Sequence, residues 1–250
     1  MSSNHLKKYL MCSPEKTTAL SSRVHPDIVV SSGVPEIDRV LQGFHANQIT
    51  YIQGKSPLTK TLPYQVCVNT YKMFHSPVLF IDGGNMMNPY HLARCAQYQE
   101  LSAKTVLSNV HISRAFTVHQ LNTLIDQQIE PMIKTYHPQT LIINAFPRLY
   151  MDTDVSCEEA LSLLQHALTR IQQVTTTHQL ITVLTHPYAH CDTSERFLSP
   201  ILFRMIDEMI QVTQMKHCPR IYFPRHQHTV TITEGAQGQL CLQDFGMVTR

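Results

Sequence analysis

Residues 48–61 read QITYIQGKSPLTKT. A short apolar run ends at Gly54, and Lys60-Thr61 follow at the spacing of a phosphate-binding loop, with Thr59 where that loop has its second glycine. Such a loop works because backbone N–H groups and a helix N-terminus surround the phosphates, the lysine reaches the outer ones, and the Ser/Thr hydroxyl holds Mg²⁺. The glycine before the lysine lets the backbone close on the phosphates without a side chain in the way. Thr59 is β-branched, and Pro57 removes one N–H donor from the nest. On these residues alone two readings stand: a nucleotide site, or a fold element that only caps a helix.

Outward from the loop, QITYIQG and PVLFIDGG are short apolar strands, and TLPYQVCVNTYKMF between them reads as a helix with Pro63 in its first turn. A strand, a glycine-bearing loop, a helix and another apolar strand form a βαβ unit, which predicts a parallel sheet covered on both faces. Upstream, VPEIDRVLQ has helical spacing, with Gly43 as a stop. Downstream, NPYHLARCAQYQEL, VHQLNTLIDQQIEPMIKTY and residues 158–176 read as helices, and NVHISRAF, TLIINAF and QLITVLTH as strands. ILFRMIDEMIQVTQM reads as helix running into strand, and IYFPRH, HTVTITE and QLCLQDF as short antiparallel strands with turns at Glu234-Gly235 and Gln237-Gly238. Residues 1–28 are expected to be an arm, and 29–250 a core domain with a β extension from about residue 215.

The 250 residues suffice for a full hydrophobic core, and 43% hydrophobic with 15% charged residues describes an ordinary globular chain. A net charge of +2 attracts polyanions only weakly, so nucleic-acid binding requires a local patch. Seven cysteines, scattered singly without a CxxC pair, point to free thiols in a reducing compartment. No run of about 18 apolar residues occurs, so no membrane partner is expected, and the location expected is cytoplasmic, or nuclear in a eukaryote.

A working nucleotide site needs two further groups. A carboxylate at the end of a buried strand organises Mg²⁺ through water, but TLIINAF carries Asn144 there, without negative charge. A base near the γ-phosphate is also needed, and FIDGGN offers Asp82 followed by Gly83 and Gly84.

The segments SSGVPEIDRVLQG, QITYIQGKSPLTKT, VLFIDGGNMMNPYHLARCA, NVHISRAFTVHQLNTLI, TLIINAFPRLY and QLITVLTHP, in that order, resemble the core of the RecA/RadA recombinase superfamily over about residues 28 to 190. KaiC-like ATPases share the first half. The resemblance implies a three-layer αβα sandwich with a mainly parallel central sheet, here with a C-terminal antiparallel extension. It makes Gly54, Lys60 and Thr61 the phosphate and Mg²⁺ residues and puts Asn144 in place of the second-motif aspartate. Gly84 then stands where the family has its catalytic glutamate, two residues after Asp82, and His186 where it often has a glutamine that senses the γ-phosphate. Departures at Thr59, Gly84 and Asn144 all strike hydrolysis, so the nucleotide site is expected to be vestigial. No catalytic residue and no metal site are assigned, and the cofactor the resemblance offers is ATP with Mg²⁺.

Noncatalytic paralogues in this superfamily load or stabilise a recombinase on single-stranded DNA. The function expected is therefore an accessory or DNA-binding subunit in repair or recombination that does not hydrolyse ATP. Its partners would be single-stranded DNA and a recombinase or another paralogue, in an oligomer or hetero-oligomer. Two alternatives stay open: an atypical active ATPase, suggested by retention of both Lys60 and Thr61, and a scaffold with neither nucleotide nor DNA. DNA contact in the family comes from loops after the strands TLIINAF and QLITVLTH. The first holds Arg148 but also Asp152, Asp154, Glu158 and Glu159; the second holds Tyr188 and Arg196. MKHCPRIYFPRHQH is the most basic stretch, with Lys216, Arg220 and Arg225 among aromatic residues, a mixture suited to single strands or to an ordinary hairpin with one solvated face.

Overall fold

The computed structural model describes residues 28–187, 198–215 and 218–232. The N-terminal arm, Tyr188, Arg196, Lys216 and QLCLQDF lie outside the described residues.

The chain enters with β1 (Val29–Val30), which pairs antiparallel with β2 (Phe44–His45) across α1 (Pro35–Leu41). That small sheet was not expected from the pattern, because two-residue strands carry no periodicity. Then follow β3 (Gln48–Gln53), α2 (Pro57–Phe74), β4 (Val78–Asp82), α3 (Pro89–Tyr98), α4 (Ala103–Ser108) and β5 (Val110–Arg114). Next come α5 (Val118–Thr123), a π-helical turn (Leu124–Gln128), α6 (Ile129–Tyr136) and β6 (Thr140–Asn144). A 3-10 turn (Phe146–Met151), α7 (Cys157–Thr177), β7 (Ile181–His186), α8 (Ser199–Met205) and β8 (Glu208–Gln214) lead to β9 (Pro219–Phe223) and β10 (His228–Thr231).

The main sheet has eight strands in the order β10-β9-β8-β3-β7-β6-β4-β5. The six strands from β8 to β5 are parallel, and β9 and β10 add an antiparallel meander at one edge. The architecture is therefore α/β, with a mostly parallel sheet flanked by helices and an antiparallel C-terminal extension.

Strands β4, β6 and β7 are buried along their whole length because both faces are covered. Tyr51, Ile81, Leu141 and Leu184 join α5, α6, α7 and α8 in one hydrophobic cluster, while Ile52, Phe80, Ile142 and Val183 join α1 to α4 in the other. Helix α7 shows how sequence fixes its place. Ser156 caps it by accepting from the Glu159 N–H at 3.2 Å, Glu158 and Glu159 sit in its first turn, and Ala160, Leu164, Ala167, Ile171 and Val174 form the buried stripe. Buried threonine pairs tie helices to strands on opposite faces: Thr70 to Thr140 at 2.9 Å and Thr175 to Thr182 at 2.7 Å.

Short α4 was not expected from the pattern, and two of the expected helices depart from it. Helix α2 begins at Pro57, so Pro63 lies inside it rather than in its first turn. The reason is local: Ser56 supplies the cap and Pro57 the first helical position, where a missing N–H costs nothing. The segment 118–136 is not one regular helix but α5, a π turn and α6. Pro131 in α6 would collide with the carbonyl four residues back in an unbroken α-helix, and the wider turn just before it makes room.

Candidate nucleotide and nucleic-acid sites

Strand β3 delivers Gly54 at its C-terminal end. Gly54 has φ +136°, and a Cβ there would lie 1.8 Å from the Val212 carbonyl oxygen, so only glycine fits against β8. Its N–H donates to the His186 carbonyl at 3.1 Å, and the Ser56 N–H donates back to the Gly54 carbonyl at 2.9 Å. The Ser56 hydroxyl donates to Gln214 Oε1 at 3.0 Å and accepts from the Leu58 N–H at 3.3 Å. These N–H groups are thus engaged within the protein, and residue 57 has none. Thr59 is fully buried. Lys60 is exposed, and the Thr61 hydroxyl donates to the Pro57 carbonyl at 3.0 Å.

The other predicted residues meet one another at the C-terminal edge of the sheet. Pairing places Arg114 opposite Asp82 and Asp82 opposite Asn144, and Thr185 of β7 comes next in the row. Asp82 is fully buried. Its Oδ1 accepts from the N–H groups of Gly84 at 3.2 Å and Met86 at 3.1 Å, and from Asn144 Nδ2 at 3.4 Å. Its Oδ2 accepts from the Met87 N–H at 2.8 Å, with Arg114 Nε 3.8 Å away. Asn144 is read in both directions: its amide donates to Asp82, and its Oδ1 accepts from the Thr185 hydroxyl at 2.6 Å. A buried carboxylate is tolerable here because N–H groups and a guanidinium surround it.

Gly84 has a packing reason of its own. A Cβ on it would approach the Ala145 Cβ to 2.7 Å. The structure therefore brings Asp82 and Asn144 together, while β7 separates their strands from β3 and its loop. Arg114, Thr185, Ser56 and Gln214 were missed in the sequence. Arg114 stands at the end of β5, in register with Asp82, and that strand-end position is the signal that could have found it.

Around this row the phenol of Tyr64 donates to the Met86 carbonyl at 3.1 Å, and burial pushes its pKa up to about 12. Burial also raises the Cys67 thiol and takes the Cys95 thiol up to about 11, so both remain protonated packing groups.

A family model for Rad51 matches residues 24–198. The chain belongs to the Rad51 family. No curated protein matches it significantly. Membership of the Rad51 family places the chain among RecA-like recombinase-family proteins and accords with the strand order and the helices on both faces. Rad51-family proteins commonly bind DNA and oligomerise or pair with paralogues. No helix among the described residues is long and apolar enough to cross a membrane.

Of the nucleic-acid candidates, Arg148 is exposed, and its Nη1 donates to the Gly84 carbonyl at 3.2 Å. It lines an open cleft of about 500 Å³ with Gly84, Asn85, Phe116 and Asp152. Arg220 is exposed on β9. Arg225, in the β9–β10 turn, reaches back to α8: its Nη2 donates to the carbonyls of Phe203 at 2.6 Å and Ile206 at 2.5 Å, and its guanidinium lies 4.7 Å from the centre of the Phe203 ring.

Proposed function

We propose that this Rad51-family chain is an accessory subunit of recombination or repair that acts with a recombinase on single-stranded DNA and does not hydrolyse ATP. The observation that carries this is the state of Asp82, whose two oxygens are taken by three backbone N–H groups and the Asn144 amide. A hydrolytic site needs carboxylates with lone pairs turned toward metal and water. Here the one carboxylate in the row is turned into its own loop, and the neighbouring strand end supplies an amide.

The residues present do not fit Mg²⁺-ATP. The hydroxyl expected on the metal is bonded to the Pro57 carbonyl, Asn144 brings no charge, and the N–H groups of Gly54, Ser56 and Leu58 have internal acceptors. What remains is the scaffold, and a scaffold of this family without turnover is suited to stabilising an assembly on a strand.

The test is phosphate release with ATP, Mg²⁺ and single-stranded DNA. The full chain is expected to give no turnover above that of Lys60→Ala. Turnover in the natural chain that disappears in Lys60→Ala would overturn the proposal.

A further inference from the structure

Helices cover the sheet unevenly. On the α2 side Ile210, Val212, Ile221 and Phe223 are buried, with Val230 and Ile232 packed against them. Side chains alternate along a strand, so the opposite face of the antiparallel extension is presented by Gln211 and Thr213 of β8, Arg220 and Tyr222 of β9, and Thr229 and Thr231 of β10. Pairing aligns them in two rows, Gln211–Tyr222–Thr229 and Thr213–Arg220–Thr231. Gln211 is half-buried and the other five are exposed, Tyr222 at 38%.

The chemistry of this face is specific. It holds one phenol ring, one guanidinium, three threonine hydroxyls and one amide, without a carboxylate. The ring and the guanidinium sit on the central strand, two residues and so about 7 Å apart. A stable protein interface has an apolar centre, and here the one apolar group is a single ring among hydrogen-bonding side chains. Unstacked bases, by contrast, lie on exposed rings of an open sheet while cations meet their phosphates. Duplex DNA keeps its bases stacked and offers such a ring nothing. The loop after β6 competes poorly, because Asp152, Asp154, Glu158 and Glu159 follow Arg148 there.

We propose that the outer face of β8–β9–β10 is a single-stranded DNA site, with Tyr222 stacking a base and Arg220 meeting the adjoining phosphate. It rests on the proposed action of the chain on single strands, and it locates the contact on the sheet extension rather than on the loops.

The experiment is fluorescence anisotropy of a labelled oligothymidylate with the full chain at low salt. Tyr222→Ala is expected to weaken binding about tenfold, with Tyr222→Phe close to the natural chain, because the ring and not the hydroxyl stacks. Arg220→Ala is expected to flatten the plot of log affinity against log salt by about 0.7. Arg148→Ala should bind as the natural chain does, and a bromodeoxyuridine strand should photo-crosslink to Tyr222. Both exposed substitutions are compatible with an unchanged circular dichroism spectrum.

Absence of binding by the natural chain, equal binding by Tyr222→Ala, or crosslinks confined to residues 148–159 would each overturn the site. Phosphate release reads something else: turnover there would sink the non-hydrolysing proposal and leave this face standing.

Discussion

Thr59 is fully buried in the first turn of α2, and its hydroxyl has no hydrogen-bond partner. Leaving such a group unsatisfied costs about 1–3 kcal/mol. Thr59→Val, which keeps the shape and removes the hydroxyl, is expected to stabilise the protein by about 1 kcal/mol or more, read as a higher melting temperature. Asn144 is the opposite case, since every polar atom of its side chain is placed. Asn144→Asp would set a second carboxylate about where the amide now stands, 3.4 Å from Asp82. Two carboxylates so close cannot both ionise cheaply, so the pair would hold a proton to higher pH in the folded state than in the unfolded chain. The folded state would then bind more protons, and stability would be present below the unfolded carboxylate range and lost as pH rises through the folded one. Thermal melts of the variant are expected to fall between about pH 5 and about pH 8 relative to the natural chain; a parallel pair of profiles would refute the assignment. At this scale the sequence was half legible. That residues 59, 84 and 144 depart from a hydrolytic pattern was visible in one line of text, but that Asn144 bonds to both Asp82 and Thr185 depends on strand register, which no local spacing encodes.

Elements were easier to read than residues, for a physical reason: a buried strand or an amphipathic helix repeats its signal several times. TLIIN, VLFID and ITVLTH came through as strands because each is apolar on both faces, and the passage of α8 into β8 also followed from pattern. The start of α2 did not, since a cap is one residue, and Ser56 competes with a loop pattern that places the helix later. The break between α5 and α6 was hidden because Pro131 disturbs geometry without disturbing hydrophobic periodicity. Short α8 shows what single contacts do for an element. Arg225 donates to two carbonyls at its C-terminal end, Phe203 and Ile206. A lysine is shorter and lacks the planar group that lies over the Phe203 ring, so it cannot keep both carbonyl bonds and the ring contact together. Arg225→Lys is expected to cost about 1–2 kcal/mol and to speed amide hydrogen exchange in α8 ahead of the rest of the sheet. At the far edge His111 of β5 stacks on Tyr136 of α6, ring centres 3.6 Å apart, and burial lowers its pKa. The folded state then binds fewer protons than the unfolded one, so this contact loses stability as pH falls below about 6.5. His111→Phe is expected to flatten that part of the stability profile in acid titration followed by circular dichroism.

On the scale of the molecule, one sheet is shared by two hydrophobic clusters, and neither can lose its covering without exposing strands the other needs. Leu62 on the α2 side and Leu164 on the α7 side are both fully buried. Each Leu→Ala change is expected to cost about 2–5 kcal/mol and to move one common denaturation transition, seen alike by fluorescence and circular dichroism; separate transitions would mean that the two layers fold independently. The overall architecture was legible in the sequence because six ordered segments constrain a chain path far more tightly than any one of them. The face presented by Arg220 and Tyr222 was legible only as a basic and aromatic stretch, since its partners on β8 and β10 come from pairing. One contact joins the phosphate-loop region to the sheet extension. The Ser56 hydroxyl that begins α2 is bonded to Gln214, the residue after Thr213 on β8. The sheet extension and the first turn of α2 are therefore tied by a hydrogen bond on the α2 side of the sheet. Gln214→Ala is expected to loosen the start of α2, read as a changed signal from a spectroscopic label on Lys55, so the loop has its mooring in the sheet extension.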